Sequence, residues 1–238
     1  MIKAVTDSLL SLIYPQHCRI CRSGVESSDD GVACSECWEK TRIFDGNETL
    51  CKKCGAFLSS GPAAAETFCR NCDEHFYDRA YAVGIYENAL AAAVLHLKTT
   101  PHISGKLKGL LLNALPENEG SSVVIPVPLS RKRMLERGFN QAAVLSRIVC
   151  GRDGFDLDEY SLIRKIHTPI HRAAMDKKAR ELTVRNAFEV VRPNLVKGRN
   201  ILLVDDIFTS GATATNCARV LKKSGALRVT VFTIARAV

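Results

Sequence analysis

Aromatic residues are scarce in this chain, 6% of 238 positions with a single tryptophan. Aromatic platforms let a basic groove hold single-stranded nucleic acid, and most of the few rings here are expected in the core. Long apolar runs are missing too, and no stretch reaches the length of a membrane span. Residues 1–14 are mildly apolar, but Asp7 interrupts them, only Lys3 precedes it, and no small-residue cleavage site follows. They make a poor signal peptide. Val5, Leu9, Leu12 and Ile13 instead predict an amphipathic packing helix, ended by Pro15. No G-x-x-x-x-G-K-[ST] occurs anywhere, so a P-loop reading of any acidic strand end lacks its partner.

Cysteine, by contrast, is abundant, with ten residues. With no secretion signal a cytoplasmic chain is expected, where that number argues for metal rather than disulfides. Eight of them form four C-x₂-C pairs. Cys18 and Cys21 are followed after twelve residues by Cys34 and Cys37; Cys51 and Cys54 are followed after fourteen by Cys69 and Cys72. One such pair is ambiguous with a redox centre. Two four-cysteine sets predict a double zinc ribbon with about two structural Zn²⁺. Sequential pairing is expected, with an interleaved pairing as the alternative. Four thiolates fill a structural site, so His17 and His75 read as bystanders. Cys150 and Cys217 fall in helical stretches and are expected to take no part. The formal net charge of +8 drops to roughly +4 once eight thiolates hold two Zn²⁺. That modest excess permits phosphate or nucleic-acid partners without requiring them.

The remainder is organised around Asn200-Ile-Leu-Leu-Val-Asp-Asp-Ile-Phe-Thr-Ser-Gly-Ala-Thr213. Ile201 to Val204 predicts a buried parallel strand. Asp205 and Asp206 follow, then the small turn Thr209, Ser210, Gly211, Ala212 and Thr213. Ala214 to Lys223 predicts a helix stopped by Gly225. The turn offers backbone N–H groups and hydroxyls at a positive helix end, which suits a phosphate dianion, with Gly211 allowing close approach. The carboxylates suit ribose hydroxyls or water on Mg²⁺. A sugar phosphate satisfies both.

Before that stretch, strands and helices alternate. Ala80 to Tyr86 predicts a strand, Asn88 caps a helix to about Lys98, and Ser104 caps another that ends near Pro116. Val123 to Pro128 is a strand, followed by Arg131, Lys132 and Arg133, then Glu136-Arg-Gly-Phe-Asn-Gln141 and a helix through Cys150. Such a basic run is usually a solvated helix face, but this one follows a strand end, where ligands bind in α/β sheets. Leu162 to Ile166 and Ala187 to Val191 are expected strands, Asp176 to Val184 a basic helix, and Arg228 to Ala235 a closing strand. The pattern predicts an α/β fold, a mostly parallel sheet flanked by helices, with a small N-terminal zinc-ribbon module. The boundary divides residues 1–78 from residues 79–238.

Leu203-Val-Asp-Asp-Ile-Phe-Thr-Ser-Gly-Ala-Thr213 resembles the 5-phosphoribosyl-1-pyrophosphate (PRPP) motif of type I phosphoribosyltransferases. The resemblance implies that Asp205 and Asp206, as catalytic residues, hold the ribose hydroxyls. It implies that Thr209 to Thr213 wrap the 5′-phosphate and that Arg131, Lys132 and Arg133 bind pyrophosphate. Arg164 and Lys165 are candidate mobile-loop residues. With the four-knuckle N-terminus and Glu136 to Gln141, the whole chain is similar to the ComF family, phosphoribosyltransferase-like proteins of natural competence. One departure is visible: the family's Thr-x-x-Gln is here Thr168-x-x-His171. The resemblance implies transfer or binding of a 5-phosphoribosyl group with Mg²⁺, linked to DNA uptake or nucleotide salvage. No general base is visible in the motifs, so the acceptor is unreadable, and catalysis stays open. The alternative is a non-enzymatic PRPP- or nucleotide-sensing module that binds single-stranded DNA and meets DNA-uptake proteins.

Overall fold

The computed structural model describes residues 16–61, 66–70, 72, 75–116, 122–165 and 187–237. The expected helices at residues 1–14 and 176–184, with Thr168 and His171, lie outside the described residues.

Up to Cys72 the elements are short: a 3-10 turn at Ser28–Asp30, α1 (Ser35–Glu39), and the antiparallel pair β1 (Glu48–Leu50) and β2 (Phe57–Ser60). Next come β3 (Arg79–Ile85), α2 (Asn88–Leu97), α3 (Gly105–Asn113) and β4 (Ser122–Pro126). They are followed by α4 (Arg131–Arg137), α5 (Gln141–Val149), β5 (Phe155–Leu157), β6 (Leu162–Arg164) and β7 (Phe188–Val190). The chain closes with α6 (Pro193–Val196), β8 (Asn200–Phe208), α7 (Ala212–Lys223) and β9 (Arg228–Arg236). Five strands form one sheet in the order β3-β9-β8-β4-β5, and every neighbouring pair is parallel. The expected α/β class is borne out. β6 and β7 pair antiparallel beside it.

The central strands are apolar throughout because helices cover both faces and alternation is lost. All of β4 is buried, as are Ile201 to Val204 of β8. Successive side chains still alternate between faces. Leu202 and Val204 pack with α2, α3 and α5. Ile201 and Leu203 pack with Leu221 and Cys217 of α7. Each face also receives one cysteine cluster. Cys18, Cys34 and Cys37 join the first core, and Cys51, Cys54 and Cys72 the second. The ribbon module therefore straddles the β3 edge of the sheet.

Between its two halves the chain runs along that edge. Phe44 donates to the Val83 carbonyl at 2.9 Å and Ile85 to the Arg42 carbonyl at 3.0 Å. A Cβ on Gly84 would lie 2.2 Å from the Arg42 carbonyl oxygen, so only glycine fits there. The same crossing corrects one expected cap. Asn88 is the first helical residue, with φ +41°, and its side chain donates to the Lys40 carbonyl. The α2 N-terminus is capped instead by Thr41 Oγ1, which accepts from Ala89 N–H at 3.1 Å. Ser104 does cap α3, accepting from Leu107 N–H.

Candidate functional site

The acidic pair lies within β8 rather than beyond it, since pairing with β9 continues to Phe208 opposite Arg236. Neighbouring residues of a strand face opposite ways, and the two carboxylates meet different cations. Asp205 shares the α7 face with Arg164, whereas Asp206 feels Lys98 and Arg137 on the other, and the two carboxyl groups remain within hydrogen-bonding reach of each other. Burial, then the neighbouring Asp206 charge, pushes the Asp205 carboxyl well above the ordinary aspartate range. Burial also raises Asp206, opposed by Lys98 and Arg137. Two desolvated carboxylates at a parallel-strand end await hydroxyl donors or positive charge.

The turn follows directly. Thr209, Ser210 and Ala212 are exposed, Thr213 is half-buried, and Gly211 is buried. Gly211 is the N-cap of α7, in the left-handed region at φ +73°. A Cβ there would meet the Phe208 ring at 2.8 Å. Conformation and crowding, more than ligand approach, make glycine necessary. α7 begins at Ala212, one half-turn earlier than expected, so its free N–H groups open onto the turn.

The basic run is helical. Ser130 caps α4 by accepting from Arg133 N–H, and α4 starts a few residues after β4 at the same end of the sheet. Arg131 and Lys132 are exposed and Arg133 is half-buried. Lys132 leans towards Glu136 at 3.9 Å. Gly138 ends α4 at φ +77°, and Asn140 caps α5 while donating to the Val127 carbonyl at 3.0 Å. Glu136 to Gln141 is thus a corner that ties α5 to the β4 end and turns Arg137 towards Asp206. Arg164 sits at the end of β6, half-buried with its guanidinium over Phe188 at 5.2 Å, and burial followed by the Arg133 charge lowers its pKa. Lys165 pairs with Glu189 at 2.7 Å. Asp205, Arg164 and Arg133 thereby come within electrostatic reach of each other.

Lys98, Arg137, His75 and Arg236 were not singled out as site residues by sequence reasoning. His75, expected to be a bystander, shares a hydrogen bond with Thr215 Oγ1 in the first turn of α7. Only its place at the end of the last cysteine knuckle hinted at it.

The cysteines gather as the sequential pairing requires: Cys18, Cys21, Cys34 and Cys37 in one group, Cys51, Cys54, Cys69 and Cys72 in the other. Within each group all sulfurs lie within 4.8 Å of one another, close enough to share one tetrahedral ion. Burial opposes ionisation of Cys51, yet N–H groups of Cys54, Cys69 and Lys53 bring its thiol down to about 6. Burial pushes Cys54 up to about 11. Four thiolates this close need a dication, and both groups fit Zn²⁺. Cys150 and Cys217 belong to neither group.

Residues 9–76 match the double zinc ribbon domain. A DNA utilization protein, YhgH, of Salmonella typhimurium is 30% identical over 94% of this chain and 99% of its own. The chain belongs to the ComF family. Competence protein F of Haemophilus influenzae is 27% identical, with 92% of this chain and 96% of that protein covered. Among solved structures, the B. subtilis glutamine PRPP amidotransferase aligns with 59% of the chain at 20% identity and a TM-score of 0.38, and the chain spans about 30% of that protein. Among the described residues, no helix is long and apolar enough to cross a membrane.

Proposed function

We propose that this ComF protein binds PRPP, or ribose 5-phosphate, at the end of β8, and that its chemistry is 5-phosphoribosyl transfer in the service of DNA uptake or use. One observation carries the reading. β8 leads an acidic pair straight into a left-handed glycine and the open N-terminus of a twelve-residue helix. The basic helix α4 stands at the same end of the sheet. The 5′-phosphate belongs on the N–H groups of residues 209–213, with Thr213 Oγ1 beside them. Asp205 and Asp206 accept from the ribose 2′- and 3′-hydroxyls. Arg131, Lys132 and Arg133 face the pyrophosphate, with Arg164 flanking Asp205.

In the transfer, the bond from C1 to the pyrophosphate oxygen breaks as the acceptor's lone pair bonds to C1. The electron pair leaves on pyrophosphate, and these cations stabilise the charge that develops there. Asp205 and Asp206 would help hold Mg²⁺ arriving with PRPP, which would supply further positive charge for the leaving group. The DNA link rests on what the relatives are called, and a reducing cytoplasm suits the eight thiolates.

Calorimetry with PRPP, ribose 5-phosphate and inorganic phosphate, each with Mg²⁺, tests the assignment. Asp205→Asn removes a charge-assisted acceptor worth about 1.5–3 kcal/mol. It should weaken both ribose ligands by roughly tenfold to a hundredfold and leave inorganic phosphate nearly unchanged. Thr213→Val should weaken all three. Replacing Arg131, Lys132 and Arg133 with glutamine should weaken PRPP more than ribose 5-phosphate. If the wild type binds no PRPP at millimolar ligand while a salt-dependent DNA titration succeeds, the motif is a structural relic and a non-enzymatic, DNA-binding reading replaces this one.

A further inference from the structure

The phosphate turn is not held by its own domain alone. The short segment after the last cysteine knuckle runs against it. His75 Nδ1 and Thr215 Oγ1 are 2.7 Å apart. Phe76 lies under the Arg219 guanidinium of α7, 6.0 Å from the ring centroid. Tyr77, 1% exposed, stacks on His75 at 4.9 Å and meets Phe208 edge-on at 5.8 Å. Its buried hydroxyl has no partner among the described residues and lies 3.3 Å from where a Cβ of Gly211 would be. His75 Cε1 stands 3.2 Å from the same point.

A second connection comes from the end of β9. Arg236 places its guanidinium over the Phe208 ring at 4.5 Å. Its Nη1 donates to the Cys54 carbonyl at 2.5 Å, and its Nη2 to Cys54 Sγ at 3.5 Å. Phe208 immediately precedes the turn, and its ring occupies the space a Gly211 side chain would need. One arginine thus spans a metal knuckle and the aromatic wall of the turn.

We propose that the second four-cysteine cluster is the rear support of the phosphate turn, with Arg236 and His75 as the positioning residues that join them. Neither need touch ligand. An N–H cradle binds a dianion well only if its amides already point inward, because ordering them on binding costs affinity. A metal-locked Cys51–Cys54 knuckle fixes the Cys54 carbonyl, which fixes Arg236, which holds Phe208 against Gly211. The Cys69–Cys72 knuckle fixes His75 against Thr215. The consequence for ligand rests on the phosphate-binding reading; the coupling itself does not.

Hydrogen exchange of the full-length zinc-loaded protein reads the coupling without ligand. Arg236→Met and His75→Phe keep much of the packing and remove only the polar connections. Each should speed exchange of the bonded amides of the first turn of α7, beginning with Thr215 N–H on the Gly211 carbonyl, by about tenfold while zinc content stays at two, since local opening governs exchange. Cys69→Ser, which weakens the second site, should do the same. Cys21→Ser, in the first site on the opposite face, should not. Ribose 5-phosphate affinity should fall in the first three variants and hold in the fourth. Unchanged turn exchange after loss of zinc from the second site alone, or an equal response to Cys21→Ser, overturns the proposal. If the exchange pattern holds but the wild type binds no ribose 5-phosphate, the function reading falls and the coupling stands.

Discussion

Asp205 carries the sharpest conflict between stability and function. Its carboxyl is raised by burial and by Asp206, so the folded state prefers the proton more than the unfolded chain does. Such a group stabilises the fold fully below its unfolded pKa, about 4. That contribution is lost as pH rises towards the raised folded value. The ligand-free protein should therefore lose stability as pH rises above about 4 through this pair. Asp205→Asn should raise the neutral-pH melting temperature and flatten that dependence, while weakening ribose ligands. Melting scans from pH 5 to 8 check both, and a lower melting temperature for the variant at pH 7.5 contradicts the sign. Residue identity told much here. The acidic pair and Gly211 were legible as neighbours at one strand end, and the structure has them there. Their environment was not: the Arg164 charge on β6 acts on Asp205, and the Lys98 charge at the end of α2 acts on Asp206, proximities that only the fold creates.

Elements were legible where local pattern and global packing agree. β4 and α7 follow from apolar runs and turn chemistry, with observed bounds a residue or two from expectation, whereas β8 runs four residues past its expected end, through the acidic pair to Phe208. Expectation failed where partners lie far along the chain. Asn88 looks like a cap, but Thr41, 48 positions before Ala89, takes that role by accepting from the Ala89 N–H. His75 reaches Thr215 across 140 positions and Arg236 reaches Cys54 across 182; no local window contains either pair. The β3 edge offers a test at this scale. Gly84→Val would push a side chain into the Arg42 backbone, where overpacking costs about 1–3 kcal/mol. The variant should melt earlier and lose exchange protection at Phe44 and Ile85 first. Uniform loss across the sheet would show that the crossing is not an independent contact.

At the scale of the molecule, the chain sets two four-cysteine clusters against one five-stranded sheet, and each face of that sheet includes one cluster in its core. Two zinc ions per chain are expected, and Cys150→Ser/Cys217→Ser protein should retain both; metal analysis decides it. The division at residue 78 separates two chemistries, whereas the apolar cores run across it. A fragment of residues 79–238 should therefore fold less stably than the full chain, with broader urea unfolding. Equal stability would return the ribbon to an appendage. The straddled edge also has a consequence for proteostasis. With residues 42–44 laid against it, β3 shows little of its free hydrogen-bonding rim. Should metal starvation loosen both knuckles, a parallel strand of small and branched residues becomes a template for strand addition by another copy. Zinc scarcity would then be felt first as aggregation.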